Sequence, residues 1–189
     1  MNDSLTAGIP SESLLFRPDE LEALRRQYKS AVFDADRRHL DDDLAIIYGG
    51  ALAPTSFSWW CVNLPNAVIA GQYQATLETL MAAGHLAGDP QAPAKAREVL
   101  LQQAALSGWT DPHYGPEMGH DLASSHHCRG FAAGLDVARL VCSPEDLDAI
   151  CRSYIAFGRT PYLDAAFRGN PYLVGTRNTN WLAHLSGSI

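Results

Sequence analysis

Residues 119–141 read GHDLASSHHCRGFAAGLDVARLV, and this stretch decides the fold class. Leu122, Arg129, Ala132, Ala133, Leu135, Ala138 and Val141 recur at helical spacing, the pattern of an amphipathic helix with one side packed. Gly130 and Gly134 lie one turn apart on it. A glycine inside a helix costs roughly 1 kcal/mol against alanine, so a pair needs a compensating gain. Close approach of a neighbouring helix supplies it. The stretch is therefore expected to lie sandwiched between other helices.

Helical signals continue on both sides. Pro18, Asp19 and Glu20 suit a helix start, with Leu21, Leu24 and Tyr28 on its buried side. A second helix is expected over 34–48, with Leu40, Leu44 and Ile47 on one face and Gly49-Gly50 ending it. A long helix over 67–86 places Ile69, Tyr73, Leu77, Leu80 and Met81 in phase and breaks at Gly88-Asp89-Pro90. The next opens at Pro93, carries Ala96, Val99, Leu100, Gln103 and Leu106, and stops at Gly108-Trp109. After the central stretch, Ser143-Pro144-Glu145-Asp146 offers an N-cap, a first-turn proline and acidic charge. That helix uses Leu147, Ile150, Cys151, Tyr154 and Ile155.

The segments 51–65, 110–120 and 158–179 read as loops, and a last helix is expected over 180–189. No strand alternation and no phosphate-loop glycine motif occurs. The class is all-α, built from successive antiparallel helix pairs, with a loosely held arm at 1–15 and one helical domain over 16–189. The final helix lacks a C-cap and a polar tail, so a longer parent chain is expected.

Composition narrows the function classes. The 189 residues are 47% hydrophobic and 19% charged, which suits one globular domain with a real core. A formal charge of −7 leaves no basic stripe for nucleic acid. No apolar run reaches the roughly 20 residues of a membrane span, and the first residues lack a basic segment followed by an apolar core. The chain as written is expected in the cytoplasm, without membrane or nucleic-acid partners. Cys61, Cys128, Cys142 and Cys151 form no CxxC pair and are expected as free thiols.

Several fragments, in this order, resemble the N-terminal region of heparinase II/III-like polysaccharide lyases. They are LLFRPDELEALRRQY from Leu14, AGHLAGDPQAPAKAREVLLQQAALSGW from Ala83, the central helix with its SPED continuation, and TRNTNWLAHLSGSI from Thr176. The similarity covers most of residues 14–189. It implies an incomplete α/α toroid of helical hairpins, acting on uronic-acid polysaccharides by β-elimination without a cofactor. In that chemistry an amide or histidine neutralises the uronate carboxylate, stabilising the charge that develops as the C5 proton leaves. The NTNW motif carries over: Asn180 is the expected catalytic amide, with Asn178 beside it. Trp181 stands where some members have histidine. The tyrosine and second histidine of the family, and its β-sandwich, are expected beyond residue 189, so the chain alone is expected to be inactive.

The remaining candidates are weighed against plainer roles. Trp59 and Trp60 suit a sugar face, although tryptophan more often packs in a core. Arg159, Arg168 and Arg177 suit carboxylates through the guanidinium fork, although loop arginines are commonly solvated. Tyr114 and His120 lie in the loop that would border the groove, His120-Asp121 doubling as a turn with an acidic cap. Asn180 is equally a good helix N-cap. His113, His120, His126, His127 and Cys128 invite a metal, but His126 and His127 diverge by about 100° on a helix and lack a second ligand set, so no metal is expected. The expected partner is an acidic polysaccharide or oligosaccharide, held near Trp59, Tyr114 and residues 159–180. The alternative is a non-catalytic helical module for such a sugar or for a protein, with exposed helix faces favouring self-association.

Overall fold

The computed structural model describes residues 13–55, 64–114 and 119–170, and among them there are helices and no strands. The helices are α1 (Pro18–Tyr28), α2 (Asp34–Tyr48), α3 (Pro65–Ala82), α4 (Ala92–Ala104), α5 (Leu122–Ala138), α6 (Pro144–Ser153) and α7 (Thr160–Phe167). Wide π-helical turns extend α3 over Ala83–Ala87 and join α6 to α7 over Tyr154–Arg159. Single 3-10 turns occupy Ala31–Phe33 and Pro112–Tyr114.

Local chemistry sets these boundaries. Pro18 opens α1, and the Arg17 amide donates to Glu20 Oε2 at 3.0 Å. Gly88, in the left-handed region at φ 76°, stops the extension of α3. Asp121 and Ser124 form a reciprocal capping box on α5, and Ser143 and Asp146 do the same on α6. The caps expected at both places are present.

The core is the packing of α5 on α3, with α4 laid against both. Leu77, Leu80, Val99, Leu100, Val137 and Ile150 fill it and are essentially fully buried. Each such side chain contributes about 1.5–3 kcal/mol by leaving water. The two glycines of α5 explain the close approach. A Cβ on Gly130 would stand 2.9 Å from the Gln74 Cα of α3, and one on Gly134 2.6 Å from Leu77 Cδ2. The sandwiched position expected for this helix is observed.

Its apolar stripe is a correction. Ala132 and Val141 are exposed, and Leu122, Arg129 and Leu135 are half-buried. The enclosed positions include Ser124, Ser125, His126, His127 and Asp136 instead. A helix covered on most sides buries polar residues too: Ser124 bonds back to its own N-cap, and His126, His127 and Asp136 meet side chains from elsewhere in the chain. Ile69 and Ile155 are likewise 42% and 48% exposed, although in phase with buried neighbours.

A second correction concerns the segment from Gly158, which was expected to be irregular. The chain stays helical to Phe167. Gly158 is buried because a Cβ there would lie 2.7 Å from Cys128 Sγ and 3.2 Å from the Trp109 ring. Pro161 has no N–H to give, and the π-helical turn just before it takes up the break in the hydrogen-bond ladder.

At the other end of the chain, Ser13 Oγ donates to Asp136 Oδ2 at 2.5 Å and the Leu14 amide donates to Asp136 Oδ1. The last residues before α1 are thus fastened to α5. Of the four cysteines, Cys128, Cys142 and Cys151 lie among the described residues and are free thiols, as expected. No helix among the described residues is long and apolar enough to cross a membrane.

Candidate functional site

The first two turns of α5 collect the buried polar chemistry of the chain. Asp121 caps the helix through its Oδ1, which accepts from the Ser124 amide at 2.9 Å. Its Oδ2 accepts from the Asp111 amide at 2.5 Å. Asp111 in turn accepts from the Asn66 amide through Oδ2 (3.1 Å) and from the His113 amide through Oδ1 (3.0 Å). This string of carboxylates fastens the start of α3 to the start of α5. Burial pushes the Asp121 carboxyl above its ordinary value, against the bonds from Ser124 and Asp111 that favour its charged form.

Three histidines stand on this scaffold with separate partners. His120 is completely enclosed, with Nδ1 3.0 Å from Ser124 Oγ and its ring edge-on to Tyr162 at 5.3 Å. His126 places Nδ1 2.6 Å from Gln74 Oε1, so it donates to α3. His127 places Nδ1 2.8 Å from Gln103 Nε2 of α4. The His127 ring stacks on Trp109 at 5.2 Å and meets Tyr73 at 5.4 Å. Burial, helped by the neighbouring His126, pushes the His127 imidazole down to about 3, so it is neutral at physiological pH.

His127 also borders a cleft of about 140 Å³, together with Asn66, Ile69, Leu106, Ser107, Gly108 and Trp109. Asn66 Nδ2 donates to the Thr110 carbonyl at 3.1 Å, which holds its amide at the rim. Among the described residues, no charged side chain lines this cleft. A wider depression of about 320 Å³ lies elsewhere, between Gly119 and α7, and has the loosely paired Asp164 and Arg168 on its wall.

A second polar cluster is closed. His85, in the π-helical turn after α3, has Nε2 2.9 Å from Asp136 Oδ2, and both side chains are buried. The same turn leaves the His85 carbonyl to accept from Arg25 Nε of α1 at 2.7 Å. The cluster joins α1, α3, α5 and the chain before α1, and it opens on no cleft among those described.

The expected site residues divide sharply. Trp59, Trp60, Arg177, Asn178, Asn180 and Trp181 lie outside the described residues. Tyr114 closes the 3-10 turn Pro112–Tyr114. His120 is buried at the head of α5, and Arg159 is exposed at the end of the second π-helical turn. Among the described residues no group of three or more His, Cys, Asp or Glu is placed to hold a metal ion. The Nδ1 atoms of His126 and His127 face two different glutamines instead.

Sequence reasoning missed Asn66, Gln103 and Trp109 as site residues. Gln103 sat in the apolar register of α4, and a glutamine in that register is itself the available signal, since a buried amide needs partners. Comparison with known proteins adds no relative: no family model, no curated protein and no solved structure matches the chain.

Proposed function

We propose that the chain is the helical, toroid-type portion of a carbohydrate-acting protein, and that the cleft beside His127 seats one sugar residue of an oligosaccharide. The supporting observation is its lining: a neutral imidazole, an amide and a hydroxyl (His127, Asn66, Ser107) around the apolar Ile69, Leu106 and Trp109. Uncharged donors set among apolar groups suit hydroxyl-bearing ligands, which need orientation more than charge neutralisation. The size of the cleft suits a single ring, with the rest of the oligosaccharide running outside it.

The catalytic form of this proposal is β-elimination on a uronate. It assigns carboxylate neutralisation to Asn180, supported by Asn178, with Arg159 and Arg177 supplying cations for an acidic chain. His127 is unsuited to removing the C5 proton, because an imidazole near pH 3 in affinity for protons is a weak base at neutral pH. The proton acceptor is then a group outside this cleft.

The test is a titration of the full chain with neutral and uronate-containing oligosaccharides by calorimetry, in parallel with ultraviolet absorbance for the unsaturated uronate product. Ile69 is exposed and borders the cleft, so Ile69→Trp blocks it without disturbing the core. Saturable binding that Ile69→Trp abolishes is the expected result. Product formation that Asn180→Ala removes establishes the catalytic form. Absence of binding across both sugar classes overturns the proposal.

A further inference from the structure

Gln103 links to His127 twice. Its Nε2 lies 2.8 Å from His127 Nδ1 and 3.0 Å from the His127 carbonyl oxygen. The carbonyl can only accept, so the amide must present its NH2 group there and not its oxygen. An NH2 group has two hydrogens, one for each contact, and the second requires a bare lone pair on Nδ1. The imidazole is therefore neutral with its proton on Nε2. Gln103 Oε1 is left buried without a partner, the consequence of holding the amide in this orientation. His127 borders the cleft, and no hydrogen-bond partner of its Nε2 is found among the described residues.

We infer that Gln103 is a positioning residue that fixes His127 as a standing Nε2–H donor to the cleft, so that the ligand must offer an acceptor oxygen there, a sugar hydroxyl, ring or carbonyl oxygen. The ligand half of this inference rests on the cleft function proposed above; the tautomer half does not. The electrostatic setting agrees. Among the described residues, the titratable groups shown beside His127 are Tyr73 and His126, neither an anion at neutral pH. The stacked Trp109 ring and the Tyr73 ring hold it on two sides. A Cβ on Gly158 would crowd the same Trp109 ring, so the second π-helical turn and α5 hold the indole between them.

The test is long-range proton–nitrogen correlation NMR on the 15N-labelled full chain, without ligand. The expected spectrum shows His127 as the Nε2–H tautomer, unchanged across the neutral pH range. An Nδ1–H pattern, or titration of His127 in that range, overturns the assignment. In Gln103→Glu the carboxylate accepts from Nδ1–H instead, and the spectrum of the variant tells a neutral ring with a bare Nε2 from an imidazolium that keeps Nε2–H; the neutral ring is the informative case. Sugar binding should then weaken on the order of tenfold, while Gln103→Asn, which keeps an amide, retains more affinity than Gln103→Glu. Should Gln103→Glu fail to fold, the spectrum of the unaltered chain still decides the matter. A locked Nε2–H tautomer with no sugar bound confirms the role of Gln103 and overturns only the proposed ligand. Sugar binding that Gln103→Glu leaves unchanged while the spectrum shows Nε2 bare overturns the donor role.

Discussion

His85 and Asp136 pair inside the protein, Nε2 to Oδ2 at 2.9 Å, and the same carboxylate fastens Ser13 and Leu14. Burial works to raise the Asp136 carboxyl, but the bonds from His85, Ser13 and the Leu14 amide outweigh it and hold the group below its ordinary value. A carboxyl depressed in the folded state contributes stability above its unfolded value, about 3.9, and loses it as the pH falls through the folded value. Asp136→Asn should therefore destabilise the chain at neutral pH on the order of 3 kcal/mol, since one of the side chain's two ends becomes an NH2 that faces either His85 and Ser13 or the Leu14 amide. The difference from the unaltered chain should shrink in acid. Urea unfolding at pH 7 and near pH 3 measures both; an equal difference at the two values would remove the carboxylate from the explanation.

The two glycines of α5 should respond differently to alanine. At Gly130 the new methyl meets backbone, Gln74 Cα at 2.9 Å and Gln74 N at 3.2 Å. At Gly134 its nearest neighbours are the ends of Leu77 and Leu100, which can turn aside. Alanine gains roughly 1 kcal/mol of helix propensity at either site. Overpacking costs about 1–3 kcal/mol, toward the upper end where backbone must move. Gly130→Ala should thus lose on the order of 1–2 kcal/mol net, a Tm drop of roughly 2–8 °C at this size, while Gly134→Ala stays near neutral. Thermal unfolding of the two variants side by side tests the order.

These contrasts show what was legible in the sequence. The ends of α2, the stop at Gly88 and the cap at Ser143 follow from residues adjacent in the chain, and they are found where local rules place them. The glycine pair was also readable, because a repeated helix-weakening residue points to a close neighbour. The buried face of α5 was not. His126, His127 and Asp136 look like solvent-facing residues until Gln74, Gln103 and His85 arrive from other helices to satisfy them. Gly158 misled for the opposite reason: it reads as a breaker and serves as a gap for Cys128. The site suffered the same way, since the spacing of Gln103 and His127 along the chain carries no mark of their pairing.

Cys128 should behave as an apolar residue. Burial pushes its thiol up to about 12, and its sulfur fills the space a side chain on Gly158 would take. At pH 8 almost none is thiolate, the form that reacts. Alkylation of the native chain read by mass spectrometry should modify the half-buried Cys142 and Cys151 well before Cys128. Labelling of Cys128 at the rate seen in urea would mean that the contact of α5 with the second π-helical turn opens readily.

Arg97 and Asp146 join α4 to the first turn of α6 through two parallel bonds, Nε to Oδ2 at 2.7 Å and the second guanidinium nitrogen to Oδ1 at 3.0 Å. Asp146 also accepts from the Ser143 amide at 2.9 Å as part of the capping box. The Arg97 fork first, and the Ser143 amide second, hold its carboxyl down at about 2. The sign follows as for Asp136: the contribution is complete above the ordinary carboxylate value of about 3.9 and disappears as the pH falls toward 2. Lysine cannot reproduce the fork, because its ammonium is a single point of charge. Arg97→Lys should therefore raise the Asp146 midpoint part of the way toward the ordinary value, and Arg97→Met should raise it further while the Ser143 bond still keeps it low. Carboxyl-carbon NMR titration of the three chains reads the midpoints directly. A midpoint in Arg97→Met equal to that of the unaltered chain would transfer the whole effect to the α6 cap.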